Sequence, residues 1–127
     1  MFEPRTFSNL FGVLALATCS MLVTAPAWGA VDFPRGVYSG KSLTVAFDSK
    51  GQFHVDSGKV LEVQGVYAVN GDEIRLTDKS GPEACAKGQE TGAYHWKYAK
   101  GVLAFTKVAD ACAARSGDLT KSEWKKK

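Results

Sequence analysis

The chain has 127 residues, 45% of them hydrophobic and 23% charged, with a formal net charge of +3 at pH 7. These proportions are typical of one globular domain and exclude a low-complexity or disordered protein. The three lysines at 125–127 supply as much positive charge as the whole surplus. We therefore interpret this tail as a solvated end and expect no nucleic-acid partner.

Residues 1–30 have the layout of a secretory signal peptide. A short charged start precedes an apolar run, and small residues then offer cleavage sites near Ala27 to Ala30. The sequence thus predicts a single mature domain at 31–127, periplasmic or secreted, without a stable membrane anchor. Two alternatives stay open. One is a retained transmembrane segment, for which the apolar run is short, and the other is a lipoprotein attached through Cys19.

In chain order, apolar residues recur with period two from Arg35 onward, between glycine-bearing turns, which is typical of β-hairpins. The predicted strands are 35–40, 43–47, 52–57, 59–69, 72–78, 92–98, 102–108 and a short last strand near 121–127. Asn70-Gly71 is the strongest turn signal, because a tight type I′ turn needs two residues with positive φ. One short helical turn is expected near 109–116, with Asp110 as its cap and Gly117 at its end.

Hairpins that follow one another, with no helix long enough to join parallel strands, predict an all-β fold. We expect an antiparallel up-and-down meander of about eight short strands that closes into a small monomeric barrel, since closure removes exposed sheet edges. The triplet Gly-x-Tyr occurs three times, beginning at Gly36, Gly65 and Gly92. We interpret it as a device in which glycine lets the strand bend and tyrosine fills the interior.

The inward faces of these strands are rich in aromatic rings. The interior or ligand candidates are Tyr38, Phe47, Phe53, Tyr67, Tyr94, Trp96, Tyr98 and Phe105, together with the aliphatic Leu43, Leu61, Val63, Leu76 and Leu103. An eight-stranded barrel leaves an interior that side chains can fill or that holds one small ligand. A packed core and a ligand pocket therefore both stay open.

Two cysteines, Cys85 and Cys112, remain after signal cleavage, and an even number in an exported protein predicts one disulfide. The alternative is a zinc site that joins these thiols to His54 and His95. No C-x-x-C or H-x-x-x-H spacing supports it, and each histidine lies on the polar side of its strand. We expect the disulfide, two solvent-facing histidines, no metal and no cofactor.

Several segments resemble the lipocalins, or calycins, and especially small exported bacterial proteins with lipocalin-like folds. They are the opening Gly36-Val37-Tyr38, the hairpin meander and the ending "DACAAR…LTKSEW", so the resemblance covers about residues 36–124. In that family an arginine near the chain end packs over the opening aromatic residue and closes one mouth of the barrel. The resemblance implies that Arg115 covers Tyr38. The residues themselves leave two partners open for Arg115, an aromatic face or Asp110. Asp110 and Trp124 join Arg115 as barrel-closing residues.

The sequence contains no nucleophile beside a base, no phosphate-binding loop and no carboxylate cluster that would indicate catalysis, so we do not expect an enzyme. The resemblance implies a protein that binds a small apolar or aromatic ligand. The alternative is an exported inhibitor or interaction module, whose packed barrel would contact a protein partner through its loops.

Overall fold

A computed structural model describes residues 32–127, so the predicted signal peptide lies outside the described residues. The strands and the helix are β1 (Gly36–Ser39), β2 (Thr44–Phe47), β3 (Gln52–Ser57), β4 (Val60–Asn70), β5 (Glu73–Ser80), β6 (Thr91–Ala99), β7 (Val102–Ala109), α1 (Ala113–Lys121) and β8 (Trp124–Lys126). Each strand pairs antiparallel with the next and β1 pairs with β8, which closes the barrel. The predicted eight-stranded barrel is confirmed. Within 32–127, no helix has the length and apolar character that a membrane crossing requires.

The two ends of the barrel differ in what covers them. One end, here called the turn end, holds the connections at 48–51, 71–72 and 100–101. The opposite end, here called the helix end, holds α1 and the loops at 40–43 and 81–90.

The hairpin turns at the turn end follow the sequence signals with one difference. Asn70 still pairs with Glu73, so the turn consists of Gly71 and Asp72 rather than Asn70 and Gly71. Gly71 has a φ of 61°. The connection between β6 and β7 is the one in which both central residues, Lys100 and Gly101, have positive φ, as a type I′ turn requires.

A bulge in β4 reverses the alternation of its side chains. Val55 pairs with Val63, but the next residue, Asp56, pairs with Leu61, so Glu62 is an extra residue on its strand. Two residues then oppose one, and the face that each side chain takes is exchanged beyond that point. Leu61, which the alternation predicts inside, is therefore 39% exposed.

Aromatic rings pack solidly at the turn end. Phe33, which precedes β1, has its ring centroid 5.0 Å from that of Phe47 and 5.3 Å from that of Trp96. Phe47 in turn lies 5.2 Å from Tyr67. All three contacts are edge-to-face, the arrangement that the charge distribution of aromatic rings favours. This half of the barrel is a packed core.

Most of the predicted interior residues are buried. Those below 10% exposure are Tyr38, Phe47, Phe53, Tyr67, Leu76, Tyr94, Trp96, Leu103 and Phe105, while Leu43 and Val63 are partly buried against them. Tyr98 differs, because it stands near the end of β6 and is 38% exposed, although its ring still lies 6.3 Å from that of Tyr38.

The three tyrosines of the Gly-x-Tyr triplets all point inside, and each hydroxyl has a partner. Tyr38 donates to the Pro34 carbonyl and Tyr67 to the Asp48 carbonyl, while Tyr94 donates to a carboxylate described below. At Gly65 a Cβ atom would lie 2.1 Å from the Thr77 carbonyl oxygen, so no larger residue fits there. The prediction that tyrosine fills the interior is confirmed.

Helix α1 begins later and runs further than the predicted turn at 109–116. Asp110 is not its cap, because the helix starts after Cys112, whose N–H donates to Asp110 Oδ1 over 2.8 Å. Gly117 does not end it, since the helix continues to Lys121. Leu119 is 6% exposed. A short isolated helix is not stable in water, so the burial of this side chain against the barrel stabilises the additional helical residues.

Candidate functional site

The helix end is held together by a disulfide. Cys85 in the 81–90 loop is bonded to Cys112 at the start of α1, with a distance of 6.0 Å between the two Cα atoms. The predicted disulfide is confirmed, and the zinc alternative is wrong because each sulfur is bonded to the other. Across 32–127, no group of three or more His, Cys, Asp or Glu side chains is placed to hold a metal ion.

A buried ion cluster of Asp78, Asp110 and Arg115 lies beside the disulfide. The exposed fractions of these side chains are 4%, 0% and 8%. Arg115 Nε and Nη2 each donate to one oxygen of Asp110 over 2.7 Å, which is a bidentate pair. The same guanidinium donates to the carbonyl oxygens of Gln89 and Glu90 over 2.9 and 2.6 Å. Arg115 therefore links α1 to both the 81–90 loop and the end of β7.

Of the two partners expected for Arg115, the structure shows Asp110 and not the ring of Tyr38. The hydroxyl of Tyr38 donates to the Pro34 carbonyl, and its ring neighbours are Phe47 and Tyr98. Arg115 turns instead to Asp110, because the bidentate carboxylate five residues earlier satisfies two of its donors at once. Of the other two predicted barrel-closing residues, Asp110 is this partner of Arg115, and Trp124 is 1% exposed with its Nε1 donating to the Leu119 carbonyl oxygen over 3.2 Å.

Burial, hydrogen bonds and neighbouring charges shift the pKa values of Asp110, Tyr94 and Arg115. Burial raises the pKa of the Asp110 carboxyl, but the donors on Arg115, Tyr94 and the Cys112 backbone outweigh burial and leave that pKa below its ordinary value. Burial and the bond to Asp110 raise the pKa of the Tyr94 hydroxyl well above its ordinary value. Burial lowers the pKa of Arg115, but Asp110 and Asp78 more than reverse that effect. Asp110 is thus held as an anion by a protonated tyrosine and a permanent cation.

Asp78 is the less satisfied carboxylate of the cluster. Its Oδ2 accepts the Cys85 N–H over 2.9 Å. Its Oδ1 lies 3.2 Å from Arg115 Nη1 without hydrogen-bond alignment, and no donor in the described part of the chain bonds to it. Nearly all buried acceptors in proteins have a hydrogen-bond partner, so this oxygen is unusual.

A cavity of about 340 Å³ occupies the helix end and opens to solvent. Most of its wall is apolar, and carboxylates stand among the apolar groups. The lining residues are Ser42, Leu43, Val45, Phe53, Val55, Glu62, Val63, Leu76, Asp78, Glu83, Ala114, Arg115, Asp118, Leu119 and Trp124. The barrel is therefore packed in one half and hollow in the other.

Sequence reasoning located this cavity poorly. Of the eight aromatic ligand candidates, all within the described residues, Phe53 alone lines it. The important residue that was missed is Asp78, yet the sequence holds a signal for it. The period of two that places Ile74 and Leu76 inward also places Asp78 inward, two residues further along β5.

The two histidines stand apart from the cavity. Each side chain is 49% exposed, which confirms that both face solvent. His54 Nε2 lies 3.4 Å from Asp56 Oδ2, and His95 Nδ1 lies 3.5 Å from Asp72 Oδ2.

Comparison of the chain with protein-family models, curated proteins and solved structures gives no match. The closed eight-stranded topology is consistent with a lipocalin-like barrel. Because one fold supports many functions, the function has to come from the chemistry of the site itself.

Proposed function

We propose that this protein is an exported lipocalin-like carrier that binds one small, mainly apolar molecule in the hollow helix end of its barrel. The observation that supports this most is the open cavity of about 340 Å³. Binding sites for small molecules are concave and mostly apolar, with a few polar groups and volumes from roughly 300 Å³ upward. The proposed role is binding rather than catalysis.

The apolar character of the cavity wall supports this proposal. Four separate parts of the chain contribute apolar side chains to it. Leu43 and Val45 belong to the β2 region, Val63 to β4, Leu76 to β5 and Leu119 to α1. An apolar ligand that entered would replace water against all of these surfaces, which is favourable by about 25 cal/mol for each Å² removed from water.

The mouth of the cavity is held in place before any ligand arrives. The Cys85–Cys112 bond and the Arg115 hydrogen bonds fix the 81–90 loop against α1. A preformed site spends less binding free energy on ordering its own groups. The disulfide also supports an oxidising location, periplasmic or extracellular, for the carrier.

A neutral apolar dye, N-phenylnaphthylamine, tests the proposal through its fluorescence on binding. Val63 lines the cavity, whereas Val66 lies on the outside of the same strand and is 39% exposed. We expect the dye to bind the parent and the V66W variant with equal affinity, and to bind V63W much more weakly, because the larger indole occupies part of the cavity. Circular dichroism confirms that each variant is folded, and Val55→Phe replaces V63W if that variant is not.

Trp124 offers a second reading of the same experiment. It lines the cavity, while Trp96 lies at the turn end with its Nε1 bonded to the Gly71 carbonyl oxygen over 3.0 Å. Within residues 32–127, the W96F variant keeps Trp124 as its tryptophan. The fluorescence emission of Trp124 should therefore change when an apolar ligand is added. Absence of dye binding to the parent and of any Trp124 response would contradict the carrier and favour the packed interaction module.

A further inference from the structure

We infer that the ligand of this cavity is a cationic amine: an apolar body with a protonated nitrogen that pairs with Asp78 inside the barrel. This inference rests on the proposed carrier function and adds the chemical class of its ligand. It follows from which polar groups of the cavity are already occupied and which are not.

Asp78 supplies the acceptor. Its side chain is 4% exposed and forms part of the cavity wall, and its Oδ1 lacks a hydrogen bond from any residue of 32–127. Its other oxygen is already bonded to the Cys85 N–H. A ligand that brings a donor to Oδ1 would therefore complete the hydrogen bonding of this carboxylate, and a charged donor forms the strongest bond of this kind.

Arg115 offers no comparable site for an anion. Its guanidinium makes four hydrogen bonds, two to the Asp110 carboxylate and two to backbone carbonyl oxygens. The nitrogen that bonds to Glu90 is also the one 3.2 Å from Asp78 Oδ1. A ligand carboxylate could approach this cation only by displacing protein acceptors, and it would meet the Asp78 charge as it did so.

The net charge of the cluster points the same way. Two carboxylates, Asp78 and Asp110, share one guanidinium, and Asp110 takes its bidentate face. The buried cluster therefore keeps an excess negative charge on the side of Asp78. Removing a charge from water without full compensation is unfavourable, so a cation that reaches this carboxylate is strongly preferred over a neutral group.

The charged groups around the mouth extend this preference. Glu62, Glu83 and Asp118 line the cavity together with Asp78, and Arg115 is the one lysine or arginine among the lining residues of the described chain. Glu62 already accepts a hydrogen bond from the Ser57 hydroxyl, whereas Glu83 and Asp118 are exposed and can meet an incoming ligand. Carboxylates around a low-dielectric cleft attract cations into it.

Two lysines lie close to this mouth. Lys41 and Lys121 line a second pocket that adjoins the cavity and shares Asp118 with it, but neither lysine lines the cavity itself. They reduce the negative potential outside the mouth and do not compensate Asp78 within it. The preference for a cation should therefore depend mainly on Asp78, with a smaller contribution from Glu83 and Asp118.

Isothermal titration calorimetry of the mature protein at neutral pH with octylamine, octanol and octanoate tests the inference, because the three probes share one chain and differ in the charge of the head group. We expect octylamine to bind about tenfold more tightly than octanol or better, and octanoate to bind most weakly. If octanol or octanoate binds as tightly as octylamine, the inference is wrong while the carrier stands. If none of the three binds, the carrier fails and the inference fails with it.

The substitution Asp78→Asn removes the charge while keeping an oxygen for the Cys85 N–H. It should lower octylamine affinity to that of octanol and leave octanol affinity unchanged. Asp72→Asn is the matched control, since Asp72 lies beyond the opposite end of β5 and is 80% exposed. An octylamine preference that survives Asp78→Asn would overturn the inference.

A second variant protects the test if Asp78→Asn does not fold. Glu83 and Asp118 are exposed, so the double change E83Q and D118N should leave the fold intact. It should weaken octylamine binding at low salt and leave octanol binding unchanged, and the loss should disappear at high salt, because exposed charges are screened. An unchanged octylamine affinity at low salt would argue against an acidic mouth.

Discussion

Gly92 occupies a position where the ion cluster leaves no room for a side chain. It is buried in β6, and a Cβ atom built there would lie 2.4 Å from Asp110 Oδ2 and 3.0 Å from Arg115 Nη2. The backbone of Gly92 is not in the left-handed region, so the substitution Gly92→Ala introduces a steric conflict and no dihedral strain. The added methyl group has to displace the Asp110 carboxylate.

The magnitude follows from what that displacement disturbs. Overpacking a rigid site costs about 1 to 3 kcal/mol, and breaking a buried ion pair outright costs about 3 to 5 kcal/mol. A shifted but still paired carboxylate should fall between these limits, at about 3 kcal/mol. In a domain of this size that loss lowers the melting temperature by roughly 12 to 24 °C.

Gly117 provides the matched control. It lies within α1, and a Cβ atom there meets nothing within 4 Å. Because alanine favours helix over glycine, Gly117→Ala should stabilise the protein by up to about 1 kcal/mol. The two variants carry the same chemical change and should move the urea-unfolding midpoint, followed by far-UV circular dichroism, in opposite directions. A Gly92→Ala variant as stable as the parent would refute the rigid cluster.

Three further predictions concern the same end of the barrel and the tyrosines of its interior. Replacing Cys85 and Cys112 with serine should cost about 3.5 kcal/mol of unfolding free energy, since the bond closes a loop of 27 residues in the unfolded chain; an unchanged melting temperature would disprove this. Asp110 has a lowered pKa in the folded protein, so its stabilisation is present above the ordinary pKa of about 3.9 and is lost as pH falls through the folded value. The stability gap between the parent and Asp110→Asn, measured by urea unfolding, should narrow below about pH 4, and a constant gap would contradict the ion pair. Burial, followed by the nearby Tyr98, raises the pKa of Tyr38 to about 12, and that of Tyr94 is raised as well, so at least two of the four tyrosines should stay protonated at about pH 11. Ultraviolet difference absorbance checks this, and complete ionisation of the folded protein at that pH would be the contrary result.

Local patterns were sufficient for the architecture. Period-two alternation and glycine turns predict the hairpins, and the cysteine count predicts the disulfide, because both depend on short-range geometry or simple chemistry. The exposure of Leu61 could not be predicted in this way. It depends on how β4 pairs with β3, and a bulge is a property of the pair rather than of either strand.

The chemistry of the site depended on contacts between distant residues. Asp110 is one of the two partners that the local sequence offers Arg115. The bonds of Arg115 to the Gln89 and Glu90 carbonyl oxygens depend instead on where α1 packs against the 81–90 loop, which no local pattern encodes. The extension of α1 past Gly117 likewise depends on the place that Leu119 finds in the barrel. Asp78 is the exception, since its inward position follows from the alternation in β5, although its unbonded oxygen does not.

The pairing between β1 and β8, which closes the barrel, is short. Tyr38 pairs with Lys126 and Ser39 with Lys125, so the paired residues are 88 and 86 positions apart in the chain. Closing so long a loop is entropically unfavourable until the rest of the sheet is in place, so closure should be a late folding event. Until then β1 and β7 are free edges, able to pair with another molecule. Lys125 and Lys126 therefore do more than add charge to the surface, because their backbone pairs with β1 and closes the barrel, which removes the two free edges.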